Sequence, residues 1–125
     1  MTETHNSTIK TLAQLPFVQA QERAEEVAIV FRNRRLSFAD VERRSNQLAH
    51  GLIAEGVDAQ QRVAVLDRNN DVFFDVLFGT VKAGAVLVTI NFRLALPEIE
   101  YVLNDSETRV LFVGREYAEQ IDQIR

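Results

Sequence analysis

The chain has 125 residues, a formal net charge of -4, 46% hydrophobic and 26% charged residues, and no cysteine. That size and balance suit one soluble globular domain. They exclude disulfides, thiolate catalysis and sulfur-bound zinc. They also argue against a nucleic-acid surface, which needs a concentrated Lys/Arg footprint.

Arg32, Arg34, Arg35, Arg43 and Arg44 have acidic neighbours and read as solvated surface. Residues 1–10 are polar, lack the apolar stretch of a secretory signal, and read as a flexible tail. The longest apolar run, Gly84 to Ile90, is too short to cross a bilayer. A cytoplasmic protein with no transmembrane segment is expected.

Thr11 to Ala24 reads as a short helix with Leu12, Leu15 and Val18 inward and Pro16 in its first turn. Val27 to Phe31 is a β-branched and aromatic strand. A turn at Arg32–Arg35 follows, with Asn33 suited to left-handed geometry, and a short return strand begins at Leu36. Ser37 then stands as an N-cap with Asp40 three residues on. Phe38, Val41, Ser45, Leu48, Ala49, Leu52 and Ile53 share one helical face, and Gly56 closes the helix. Asp40 and Arg44 are spaced as an i,i+4 pair on the opposite face.

Arg62 to Leu66 is a strand for a sheet covered on both faces. Asn69 or Asn70 caps a helix from Asp71 to about Ala83. That helix is apolar nearly all round, and its Gly79 predicts a close approach to a neighbouring backbone. Gly84, the strand Ala85–Ile90, a helix opened by Pro97, the strand Arg109–Val113 and a final helical start after Gly114 complete the pattern. Alternating strands and helices predict an α/β layered fold with a mainly parallel sheet and right-handed crossovers.

Ligands of such sheets sit beyond the carboxyl ends of the strands. The loop Asp67–Asp71 has no glycine, so it is neither a dinucleotide fingerprint nor a phosphate-cradling loop. His5 and His50 lack ligand partners nearby in sequence and read as surface. Ser37 lacks a nucleophile setting. Asp71 and Asp75 share a helix face, and helix-start electrostatics and solvation account for them. Arg93, just past a buried strand, has the place and the fork geometry to hold a phosphate or carboxylate. An exposed arginine, or one paired with Glu98 or Glu100, is the plainer reading. The residues by themselves define no catalytic group and no metal site.

Several phrases, in order, carry a resemblance. They are Ala28-Ile-Val-Phe, Arg35-Leu-Ser-Phe-Ala-Asp-Val, Ser45-Asn-Gln-Leu-Ala-His-Gly-Leu, Arg62-Val-Ala-Val-Leu, Leu77-Phe-Gly-Thr-Val-Lys-Ala-Gly-Ala-Val, Asn91-Phe-Arg-Leu and Glu98-Ile-Glu-Tyr-Val-Leu-Asn-Asp-Ser. The series resembles the opening of the acyl-CoA synthetases and other AMP-forming adenylating enzymes, over about Leu12 to Tyr117. Many members carry proline where this chain has Thr89 and Phe92, and Asn-Phe-Arg-Leu is most similar to fatty-acyl-CoA ligases.

The resemblance implies that residues 11–125 are a partial N-terminal AMP-binding-type domain ending before the family's ATP loop. It implies a two-step reaction. A carboxylic acid and ATP with Mg²⁺ give acyl-AMP and pyrophosphate, and the thiol of CoA then displaces AMP. The family's core catalytic residues have no counterpart here, so the chain alone is expected to be inactive and to bind none of these groups tightly. One family position carries over: Arg93, with Asn91 shaping its loop, as a contact for the CoA phosphates. A peptide-synthetase adenylation domain, a luciferase-like enzyme and a non-catalytic α/β module are the alternatives. Apolar surface around Phe73, Phe74 and Phe78 is expected to promote self-association.

Overall fold

The structure is a computed structural model, and it describes residues 9–124. Most of the expected tail, including His5, lies outside the described residues, as does Arg125.

Helix α1 spans Gln14–Arg23, with Pro16 buried in its first turn. Pro16 fits there because first-turn N–H groups have no intrahelical acceptor. Leu12, expected inward, precedes the helix and is exposed. Strands β1 (Val27–Phe31) and β2 (Arg34–Ser37) pair antiparallel as a separate two-stranded ribbon. VAIVF therefore does not join the parallel sheet. A two-residue connection permits only antiparallel return. Arg32, not Asn33, takes the left-handed conformation, with φ 58°, and its guanidinium lies 5.2 Å from the Phe31 ring centre.

Helix α2 runs Phe38–Ala54. Its start is a reciprocal cap: Asp40 N donates to Ser37 Oγ at 3.1 Å, and Ser37 N donates to Asp40 Oδ2 at 2.9 Å. The bond from the Ser37 backbone, then that from Arg43, holds the Asp40 carboxyl below its ordinary value. Its contribution is complete above pH 3.8 and is lost as pH falls through the lower folded value. Ser37→Ala should cost about 1 kcal/mol in a denaturant titration. An unchanged midpoint would show that the cap contributes nothing.

Val41, Ser45, Ala49 and Leu52 form the buried stripe of α2. Ile53, expected inward, is 56% exposed, because it sits about 100° round the helix from Leu52. Asp40 pairs with Arg43 at 3.0 Å rather than with Arg44, which turns instead to the next helix. Gly56, at φ 87°, reverses the chain.

Strands β3 (Arg62–Leu66), β4 (Val86–Ile90) and β5 (Thr108–Val113) form a parallel sheet in the order β4-β3-β5. Helix α3 (Val72–Lys82) links β3 to β4, and α4 (Leu96–Asp105) links β4 to β5. A 3₁₀ turn, Arg115–Tyr117, leads into α5 (Ala118–Asp122).

Strand alternation splits the core in two. Ala64 and Leu66 face Ile99 of α4 with Tyr117 and Ile121. Val63 faces Leu52 and Val57. Helix α3 lies on that second face, where Val72, Phe73 and Val76 line one cleft with Val65, Thr89 and Phe112. Its other side packs on α2 at Gly79.

Two expectations for α3 need correction. Asp71 and Asp75 are not solvated: both are buried, against Arg34 at 2.8 Å and Arg44 at 2.7 Å. The apolar surface is also smaller than expected. Phe74 is 37% exposed, but Phe78 is buried.

Candidate functional site

Helices α3 and α4 leave the adjacent strands β3 and β4 toward opposite faces of the sheet. In the order β4-β3-β5 the strand order reverses at β3, and open α/β sheets bind ligands beyond the carboxyl ends of the strands at such a point. Asp67 and Arg68 follow β3, Asn91, Phe92 and Arg93 follow β4, and Gly114 follows β5.

The β4 loop is tied by its own asparagine. Asn91 Oδ1 accepts from Arg93 N at 2.9 Å, and Asn91 O accepts from Leu94 N at 3.1 Å. Arg93 is exposed, with its guanidinium 5.4 Å from the Phe92 ring centre. Glu98 is occupied elsewhere, accepting from Ala95 N at 2.8 Å as the cap of α4.

The β3 loop brings a second arginine to the same ring. Arg68 lies 5.2 Å from the Phe92 centre. Its Nε and Nη2 donate to Glu116 Oε1 and Oε2 at 3.1 and 3.2 Å, a fork on a fork. The hydrogen bonds of Glu116, then its charge, hold the Arg68 proton more firmly than usual.

Asp67 is bent back into its own loop, accepting from Arg68 N at 2.8 Å and Asn70 Nδ2 at 2.9 Å. Asn70 Oδ1 accepts from Phe73 N at 3.0 Å, so Asn70 performs the expected capping role. Gly114 leaves space for Asp67, because a Cβ there would lie 2.1 Å from Asp67 Oδ1. Under the loops the Tyr117 ring packs 6.2 Å from Phe92, and its buried hydroxyl has no hydrogen-bond partner. Such an orphaned group costs about 1–3 kcal/mol. Beside Arg68 the β3 loop opens on a cleft of about 190 Å³, with apolar walls from Val65, Val76 and Ile90.

Sequence reasoning singled out Asn91 and Arg93, and the structure places them together in one turn. It overlooked Arg68, Glu116 and Tyr117. Arg68 sat in a strand-end loop, which was a usable signal. Its pairing with a residue 48 positions away leaves no local trace. Among the described residues no group of three or more histidine, aspartate or glutamate side chains converges to hold a metal ion.

The family model for AMP-binding enzymes matches residues 17–125. The chain belongs to that family. It is 35% identical to a fatty acid–[acyl-carrier-protein] ligase of Streptomyces coeruleorubidus over 99% of its length and 24% of that protein. It is 34% identical to a medium/long-chain-fatty-acid–CoA/3-oxocholest-4-en-26-oate–CoA ligase of Mycobacterium tuberculosis, over 80% of this chain and 18% of that one.

Among solved structures, the N-terminal domain of FACL13 from Mycobacterium tuberculosis superposes with a TM-score of 0.89 at 34% identity, covering 94% of this chain and 30% of that one. The anthranilate CoA ligase AuaEII superposes at 0.90 with 30% identity, over 97% of this chain and 24% of that one. The chain thus spans about a quarter or less of the length of these curated relatives. Its fold is the α/β, parallel-sheet architecture of the N-terminal part of adenylating enzymes.

Proposed function

We propose that this chain is the N-terminal part of an AMP-forming acid–thiol ligase that activates a fatty acid. The carboxylate attacks the α-phosphorus of ATP and expels pyrophosphate. The thiol of CoA then attacks the acyl carbon and expels AMP. The observation that carries this reading is chain-long similarity to two ligases whose names give a fatty acid as substrate. ATP, Mg²⁺ and CoA are the partners this chemistry requires. Among the described residues no group of three or more carboxylate or imidazole side chains converges for the magnesium ion. Toward CoA they do offer cations at the strand ends.

Acid-dependent ATP–pyrophosphate exchange in the intact protein from its source tests the reading, with a series of fatty acids. Exchange that rises with fatty acid supports it. Exchange with amino acids only would favour a peptide-synthetase-type adenylating enzyme, a reading supported by 31% identity to tyrocidine synthase 1 over 92% of the chain. No exchange, with an intact mass of 14.2 kDa, would leave a non-catalytic α/β module.

Within this reading Arg93 contacts the CoA phosphates and Asn91 fixes its turn. Arg93→Ala should raise KM for CoA about tenfold or more, the worth of one charged hydrogen bond, and leave exchange unchanged. Unaltered CoA kinetics would remove Arg93 from the site. Open edges on β4 and β5, with exposed Val72 and Phe74, also make self-association of the isolated chain part of this proposal.

A further inference from the structure

Two guanidinium groups, from loops 25 positions apart in sequence, lie against one aromatic ring beyond the carboxyl ends of β3 and β4. Like charges gathered on one small surface repel unless an anion lies between them. Here the anions are the protein's own. Glu116 forks onto Arg68, while Asp67 is turned into its loop by Arg68 N and Asn70. Arg93 has no carboxylate partner among the described residues.

The Arg68–Glu116 pair is 61% and 55% exposed at its side chains, and so is weak and exchangeable. Directly beneath, the Tyr117 hydroxyl is buried with the residue 8% exposed, close to Arg68 and without a hydrogen bond.

We propose that Arg68 is a second phosphate-gripping residue beside Arg93, that Glu116 occupies its fork when no ligand is bound, and that the pair selects a nucleotide-bearing thiol over a bare pantetheine thiol. The inference rests on the ligase reading and extends it to the choice of acceptor. A phosphate approaching Phe92 replaces the Glu116 carboxylate in the Arg68 fork with two of its own oxygens. The arginine keeps two charge-assisted bonds, and Glu116 moves to water. Pantetheine carries the thiol but no phosphate, so it draws nothing from either arginine.

The experiment uses the full-length enzyme, measuring thioester formation with CoA and with pantetheine, and acid-dependent ATP–pyrophosphate exchange. Arg68→Ala should raise KM for CoA about tenfold with kcat within twofold, and leave KM for pantetheine and the exchange rate unchanged. Glu116→Gln should lower KM for CoA severalfold, because the neutral amide competes poorly for Arg68. A merely structural loop residue would move both thiols together.

If neither variant changes the CoA-to-pantetheine ratio while Arg93→Ala does, this inference is wrong and the ligase reading stands. If the wild-type enzyme shows no acid-dependent exchange at all, the ligase reading fails and takes this inference with it.

Discussion

Gly79→Val should destabilise the protein by about 3 kcal/mol or more, the upper end of what overpacking costs a close-packed interior. The reason is the contact between α2 and α3. A Cβ at position 79 would lie 2.6 Å from Leu48 Cδ2, 2.8 Å from Leu48 Cβ and 3.1 Å from the Ser45 carbonyl oxygen. The outer methyl could rotate away, but Leu48 Cβ and the Ser45 backbone are fixed to α2. The helices must separate.

Alanine isolates the Cβ alone. It regains about 1 kcal/mol of helix propensity over glycine, so Gly79→Ala should lose less, about 1–2 kcal/mol. Leu48→Ala combined with Gly79→Ala should recover part of that loss, a positive coupling between touching residues. Urea titration of Gly79→Val, Gly79→Ala, Leu48→Ala and the double variant against the parent gives these values directly. A Gly79→Ala protein as stable as the parent would show that the helices part without cost. The effect reaches the candidate site, because α3 begins where the Arg68 loop ends. A displaced α3 moves Asn70, which holds Asp67 by a 2.9 Å bond.

What was legible in the sequence follows the range of each interaction. Ser37 with Asp40, Gly56 after the helix, and Pro97 in the first turn of α4 act within three or four residues. Their signals survive in the chain, and the structure shows each of them. Continuous apolar runs such as RVAVL read correctly as covered strands because one run feeds both faces of the sheet. Gly79 was legible as a close approach because few other reasons place glycine inside an apolar helix.

The misreadings are long-range. Asp71 and Asp75 looked like a solvated helix start until Arg34 and Arg44 arrived from 37 and 31 positions away. The same distance problem hid Arg68 with Glu116. The first strand and its return were legible as a hairpin, because the turn between them is short. Composition identifies the strand, and the two-residue connection decides that it pairs backwards into a ribbon.

The buried carboxylate at Asp75 makes the stability of this fold depend on pH. Arg44 Nε and Nη2 both donate to Asp75 Oδ2, at 3.0 and 2.7 Å. Burial raises the Asp75 pKa above 3.8, Arg44 pulls it down, and nearby Asp71 pushes it up. Burial prevails, so between pH 3.8 and the raised folded value the native state holds more protons than the unfolded chain. Stability therefore falls as pH rises through that window.

Arg44→Ala removes the opposing charge. The folded pKa climbs further, and the window widens upward. Below about pH 3.8 the carboxyl is neutral in both states, and the substitution costs little. At neutral pH it leaves a buried, uncompensated carboxylate. Breaking such a pair costs about 3–5 kcal/mol when fully buried; with Arg44 26% exposed at its side chain, about 2–3 kcal/mol is expected. Adding Asp75→Asn to Arg44→Ala should abolish the pH dependence of the loss and recover most of it, because no charge is then stranded. Urea midpoints from pH 3.5 to 7 for the parent, Arg44→Ala and the double variant decide the matter. A penalty for Arg44→Ala that stays constant across that range would mean that Arg44 acts through packing of its alkyl chain, not through the charge it sets against Asp75.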